Sequence, residues 1–115
     1  MTWDDVLRLA SALPGVEAGT SYGTPALRVR KKFMCRLWED GETLVLPVSG
    51  FEEREALIEA APEVYFFTDH YRDYPTVLVR LPAATEAHVA GLLTQVWRRA
   101  APKTLIRQLD EVRER

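Results

Sequence analysis

The chain has 115 residues, 47% hydrophobic and 28% charged, with a net charge of −2 and a pI near 5.7. That balance suits one globular domain over residues 1–115 and excludes a disordered chain or one that coats nucleic acid indiscriminately. The single cysteine, Cys35, excludes an internal disulfide and a zinc site built mainly from cysteines, and no apolar run approaches the roughly 20 residues of a membrane span.

The first helix is expected to start at Thr2, whose side-chain oxygen is placed to accept from the Asp5 backbone N–H. Trp3, Val6, Leu7, Ala10 and Leu13 then form one apolar stripe at helical spacing, which Pro14-Gly15 ends. Acids at Asp4 and Asp5 stand where a signal peptide carries basic charge, so the cytoplasm, with no membrane partner, is the expected location. The stretch from Gly19 through Gly23 to Pro25, rich in small residues, reads as a loop.

Three strands follow. Residues 26–30 alternate Leu27 and Val29 with Arg28 and Arg30, the pattern of a half-buried strand whose basic residues share one face. Lys31-Lys32 turns the chain into a strand over 33–38, and Asp40-Gly41 signals a hairpin into a strand over 43–48. Pro47 cannot donate to a ladder, so that third strand is expected at an edge or to end there. Ser49 with Glu52 reads as a capping box for a helix over 51–60 that turns Phe51, Ala56, Leu57 and Ile58 inward. Residues 64–67 and 76–81 are β-branched or aromatic and read as strands, joined by the polar, aromatic connector Asp69 to Pro75. Thr85 caps the strongest helix, with Val89, Leu92, Leu93, Val96, Trp97 and Ala100 on one face, and Pro102 opens a last helix carrying Leu105, Ile106 and Leu109. The order α-β-β-β-α-β-β-α-α, with an antiparallel meander and flanking helices, is α+β.

Charge is unevenly spread. Residues 28–36 hold Arg28, Arg30, Lys31, Lys32 and Arg36 with no acid, which leaves −7 on the rest of the chain. A second cluster, Arg98, Arg99, Lys103 and Arg107, has no acid between its ends. Such patches steer anionic partners even on an acidic molecule, and Arg and Lys at a hairpin can hold phosphates without reading bases. The bland alternative is a solvated strand face with charged edge protection.

No nucleophile elbow, P-loop or dinucleotide fingerprint is present, so no catalytic residue, cofactor or metal is assigned. In the connector, only His70 is a good nitrogen ligand; a hydrated loop accounts for Asp69, His70 and Asp73. Cys35 reads as a buried, unreactive thiol. Tyr22, Trp38 and Tyr74 have rings that can stack bases, although aromatics at such spacing commonly belong to a core.

Leu13-Pro14-Gly15-Val16, Tyr22-Gly23-Thr24-Pro25, a strand leading into Lys32-Phe33, Ala61-Pro62, the strands around Tyr74 to Leu81 and the closing Leu92-Leu93 helix with Ala101-Pro102-Lys103 together resemble the MmcQ/YjbR family. Their order and spacing over nearly the whole chain carry the resemblance. It implies a frataxin-like α+β architecture, sometimes described as a double wing, and the DNA-binding role with which the family is labelled; it supplies no catalytic residue. Two functions are therefore expected to compete. The first is a non-enzymatic domain contacting nucleic acid through the hairpin and the Arg98–Arg107 cluster. The second is a protein-interaction or small-ligand module using Gly19 to Pro25 and Asp69 to Pro75. A concave apolar pocket between those two loops favours the second, and a flat, positive sheet face favours the first.

Overall fold

The computed structural model describes residues 1–114. Helix α1, Trp3–Ala10, carries the expected capping box: Thr2 Oγ1 accepts from the Asp5 N–H, and the Thr2 N–H donates to Asp5 Oδ2 at 2.8 Å. That backbone bond, joined by Arg8 alongside, holds the Asp5 carboxyl below its ordinary range.

Six strands form one antiparallel sheet. They are β1, Val16–Ser21; β2, Thr24–Val29; β3, Lys32–Leu37; β4, Thr43–Pro47; β5, Tyr65–Phe66; and β6, Thr76–Arg80, in the spatial order β1-β2-β3-β4-β6-β5. Helix α2, Phe51–Ala60, lies against β5 and β6; α3, Glu86–Ala100, packs on α1 and β3; α4, Lys103–Arg113, closes the chain. The α+β class thus stands, with one strand more than expected. The segment read as a loop is the edge strand β1, paired residue by residue from Val16↔Val29 to Ser21↔Thr24.

One sheet face is the core. Leu27, Val29, Met34, Cys35, Leu44, Leu46, Val77 and Val79 pack there with Val6, Leu93, Val96 and the fully buried Trp97, whose Nε1–H donates to the Pro14 carbonyl at 2.9 Å. A bulge in β3 lets both Met34 and Cys35 join this face, because Leu27 pairs with Cys35 while Arg28 pairs with Phe33. Cys35 is fully buried, and burial pushes its thiol up to about 12. A thiol reagent at pH 8 is therefore expected to label Cys35 only as fast as the protein unfolds; labelling at the rate of a free thiol contradicts this packing.

β4 ends at Pro47, the second of its two expected outcomes, and is interior, flanked by β3 and β6. Two other local expectations change. Gly50, not Ser49, precedes α2, and the carboxylate that reaches back to the Ser49 N–H and hydroxyl is that of Glu53, not Glu52. Arg54 is the one buried residue of α2 and meets the polar connector; Leu57 and Ile58 pack, partly buried, against the core as expected, whereas Phe51 and Ala56 are exposed. No described helix is long and apolar enough to cross a membrane.

Candidate functional site

The turn joining β2 to β3 is made by Arg30 and Lys31, at φ 49° and 70°. Two-residue turns of this left-handed kind favour Asn-Gly, and an L side chain with a Cβ costs roughly 1–2 kcal/mol at each such position. This turn holds two cations instead. Arg30, Lys31 and Lys32 are exposed, and none forms an ion pair among the described residues.

The other two cations of the hairpin cluster are committed to the protein. Arg28 is half-buried, stands across from Glu17 and donates from Nη1 to the Thr20 carbonyl at 2.9 Å. It therefore does not form a free rail with Arg30, which lies in the turn rather than on the strand. Arg36 is only 5% exposed, and its guanidinium serves a different site, described below.

The second cluster comes to the same end of the sheet. Antiparallel pairing brings the start of β1, the end of β2, the start of β3 and the end of β4 together there. Arg99, near the end of α3, donates to the Pro47 carbonyl at 3.2 Å. Leu105 of α4 fills the space beside Gly15, at φ 74°, with its Cδ1 2.7 Å from where a Cβ would stand and Val29 Cγ2 3.7 Å from that point. Arg98 is paired with Asp110 at 2.6 Å, which holds that carboxyl below its ordinary range. Lys103 and Arg107 remain exposed and outside any ion pair among the described residues, beside Glu111 and Glu114. With Arg99 committed to the Pro47 carbonyl, the exposed cations at this end that make neither an ion pair nor a side-chain hydrogen bond among the described residues are Arg30, Lys31, Lys32, Lys103 and Arg107.

The sheet face away from the core is not flat. Arg36 projects from its middle, opposite Ala26 and Val45, and the connector after β5 folds over it. Arg36 Nη2 donates to Tyr71 Oη at 2.8 Å; Nη1 donates to Thr24 Oγ1 at 3.2 Å and Glu39 Oε1 at 3.0 Å. Burial opposes its charge, yet the bonds to Tyr71 and Glu39 outweigh it and raise its pKa above the ordinary value. The Tyr22 ring stacks over it, 5.4 Å from Cζ to centroid. Tyr22 is 87% exposed and at φ 53°, a second bulky residue in a turn suited to Asn or Gly.

A cleft opens here in two lobes of about 510 and 320 Å³ that share Tyr22, Arg36, Tyr71 and Thr76. The larger adds Glu39, His70 and Tyr74; the smaller adds Arg28 and Phe33. Both volumes fall within the usual range for small-ligand sites. This is the concavity between Gly19–Pro25 and Asp69–Pro75 expected of a ligand-binding module. His70 meets the Tyr71 ring edge-on at 4.7 Å, and no hydrogen bond ties it to a carboxylate among the described residues. No described group of three His, Cys, Asp or Glu side chains is arranged to hold a metal.

The cleft wall depends on Arg54, which sequence reasoning overlooked. Buried at 5% exposure, it donates to the carbonyls of Tyr71 at 2.9 Å, Tyr74 at 2.8 Å, Thr76 at 3.4 Å and Arg72 at 3.1 Å. Phe67 lies against its other face, 3.9 Å from ring centroid to Cζ.

A family model described as YjbR matches residues 11–99. The chain belongs to the YjbR family. It is 32% identical to uncharacterized protein Mb2600 of Mycobacterium bovis and to uncharacterized protein Rv2570 of Mycobacterium tuberculosis, in each case over 91% of this chain and 92% of the relative. The crystal structure of Deinococcus radiodurans protein DR2400, family-model domain DUF419, has the same YjbR-type fold, with a TM-score of 0.73 at 20% identity over 95% of this chain and 88% of that one.

Proposed function

We propose that this YjbR domain is a non-enzymatic binding module that docks on the phosphate backbone of nucleic acid through its hairpin end. The observation that carries this reading is the meeting of two basic clusters, about 70 positions apart in the chain, at one end of the sheet. Five exposed cations there, engaged by neither an ion pair nor a hydrogen bond among the described residues, suit phosphate contacts, while the acidic remainder of the chain limits contact to that end.

Fluorescence anisotropy with a labelled oligonucleotide across a salt series tests it. Five phosphate contacts predict that log K falls with log salt at a slope of about −3.5 on a single strand and about −4.5 on a duplex. Absence of binding to DNA and RNA at low salt ends the proposal.

The second reading, a small-ligand module, is favoured by the cleft between Tyr22 and the Asp69–Pro75 connector. The two readings concern different surfaces and are separable by mutation.

A further inference from the structure

The cleft combines features that a purely structural loop does not need. Tyr22 is nearly fully exposed, held in a backbone conformation that disfavours it, and aimed over a buried arginine. Tyr74 is 59% exposed on the opposite loop. Exposed rings gathered around a concavity are a mark of ligand-binding grooves.

The polar groups narrow the choice of ligand. Glu39, whose Oε1 already accepts from Arg36, has its other oxygen left as an acceptor; Thr76 and His70 offer donor and acceptor atoms; and Arg28, which lines only the smaller lobe, has the Thr20 carbonyl as its one acceptor among the described residues. An aromatic acid without donors suits this set poorly, because its carboxylate has no counterpart to offer Glu39. A ring with amino donors on its edge and an attached anionic group offers partners to both Glu39, in the larger lobe, and Arg28, in the smaller.

We infer that the cleft binds a nucleobase bearing an exocyclic amino group, its ring against Tyr22 and Tyr74 and its phosphate toward Arg28. The ligand is either a free nucleotide or one nucleotide of a single strand. The second source rests on the nucleic-acid reading above; the first does not.

The test uses the full chain, adenosine 5′-monophosphate and single-stranded (dA)10, followed by two-dimensional amide NMR. Both probes are expected to shift Tyr22, Arg36, Tyr71, Tyr74 and Thr76 saturably. Tyr22→Asn removes the ring and keeps a residue that tolerates the turn, so its melting temperature should hold or rise. It should weaken both probes by about 5- to 150-fold, the range for one base–aromatic stack. Failure of both probes to shift the cleft, or equal affinity in Tyr22→Asn, overturns the inference. The source is read from the hairpin: neutralising Arg30, Lys31 and Lys32 should weaken (dA)10 and spare the mononucleotide if the ligand is a strand, and spare both if it is a free nucleotide. Mononucleotide binding without oligonucleotide binding at the hairpin ends the nucleic-acid proposal and leaves this one standing. Hairpin binding that ignores Tyr22→Asn does the reverse.

Discussion

Arg54→Met is expected to destabilise the protein by about 3 kcal/mol and to lower its melting temperature by roughly 10–15 °C. Among the described residues Arg54 has no carboxylate partner; its charge is taken out of water and met by four carbonyl oxygens and the rings of Phe67 and Phe51. Its Nε is buried without a partner, so the arrangement already tolerates one unsatisfied donor. Methionine keeps the packing against the rings but removes the donors that gather the connector's carbonyls. The tested quantity is local as well as global. Amide exchange should accelerate over residues 69–76 more than in β2 and β3, whose ladder does not involve Arg54. Arg54→Lys should recover only part of the loss, because an ammonium lacks the planar fork that reaches several carbonyls at once. A Met variant within 1 kcal/mol of the parent contradicts this account.

The second large effect pairs a gain with a loss. Replacing Arg30 by Asn and Lys31 by Gly gives the turn the residues its backbone favours. It should stabilise the domain by about 1–2 kcal/mol. If the hairpin end holds phosphates, the same change removes two contacts: the salt slope should shrink by about 1.8 on a duplex and affinity near 50 mM salt should fall by roughly tenfold or more. Stability by urea titration and affinity by anisotropy, measured on one preparation, decide the matter. A variant that gains stability and binds as before reduces the turn to an unfavourable loop with no functional return.

Sequence and structure agree where side chains enter the core. The apolar stripe of α3 and the alternation of β2 are periodic signals, and burial makes them; the exposed Thr2 cap is a local signal, legible because its partner Asp5 stands three residues on. β1 carried no such signal. Glu17, Ala18, Gly19 and Thr20 are all exposed along an edge, and the strand is held by its ladder to β2, which any sequence can supply. Arg54 was invisible for a related reason: among Glu52, Glu53 and Glu55 it resembles an ordinary solvated helix residue. Its partners are backbone carbonyls 17 to 22 positions away, which leave no imprint on residue type.

Arg36 shows the limit most clearly. Counted along the chain it belongs to a run of cations, yet its nearest functional neighbour is the hydroxyl of Tyr71, 35 positions on. Charge counting therefore assigned one residue of a cleft to a patch. The two segments that wall the cleft, Gly19 to Pro25 and Asp69 to Pro75, were legible as candidates; that Arg36 and Glu39 stand between them was not.

β2 has a further property. Its two ends are the Tyr22-Gly23 turn at the cleft and the Arg30-Lys31 turn at the cationic end, so the strand is a stiff rod of six residues, about 20 Å long, joining a ring site to a charge site. A rod of constant length imposes a threshold on any chain-like ligand. Strands too short to span it can engage one end alone, and the first length that spans it gains the second contact as an intramolecular step. Affinity plotted against oligonucleotide length should then climb by a jump rather than a ramp, and the position of the jump would measure the protein.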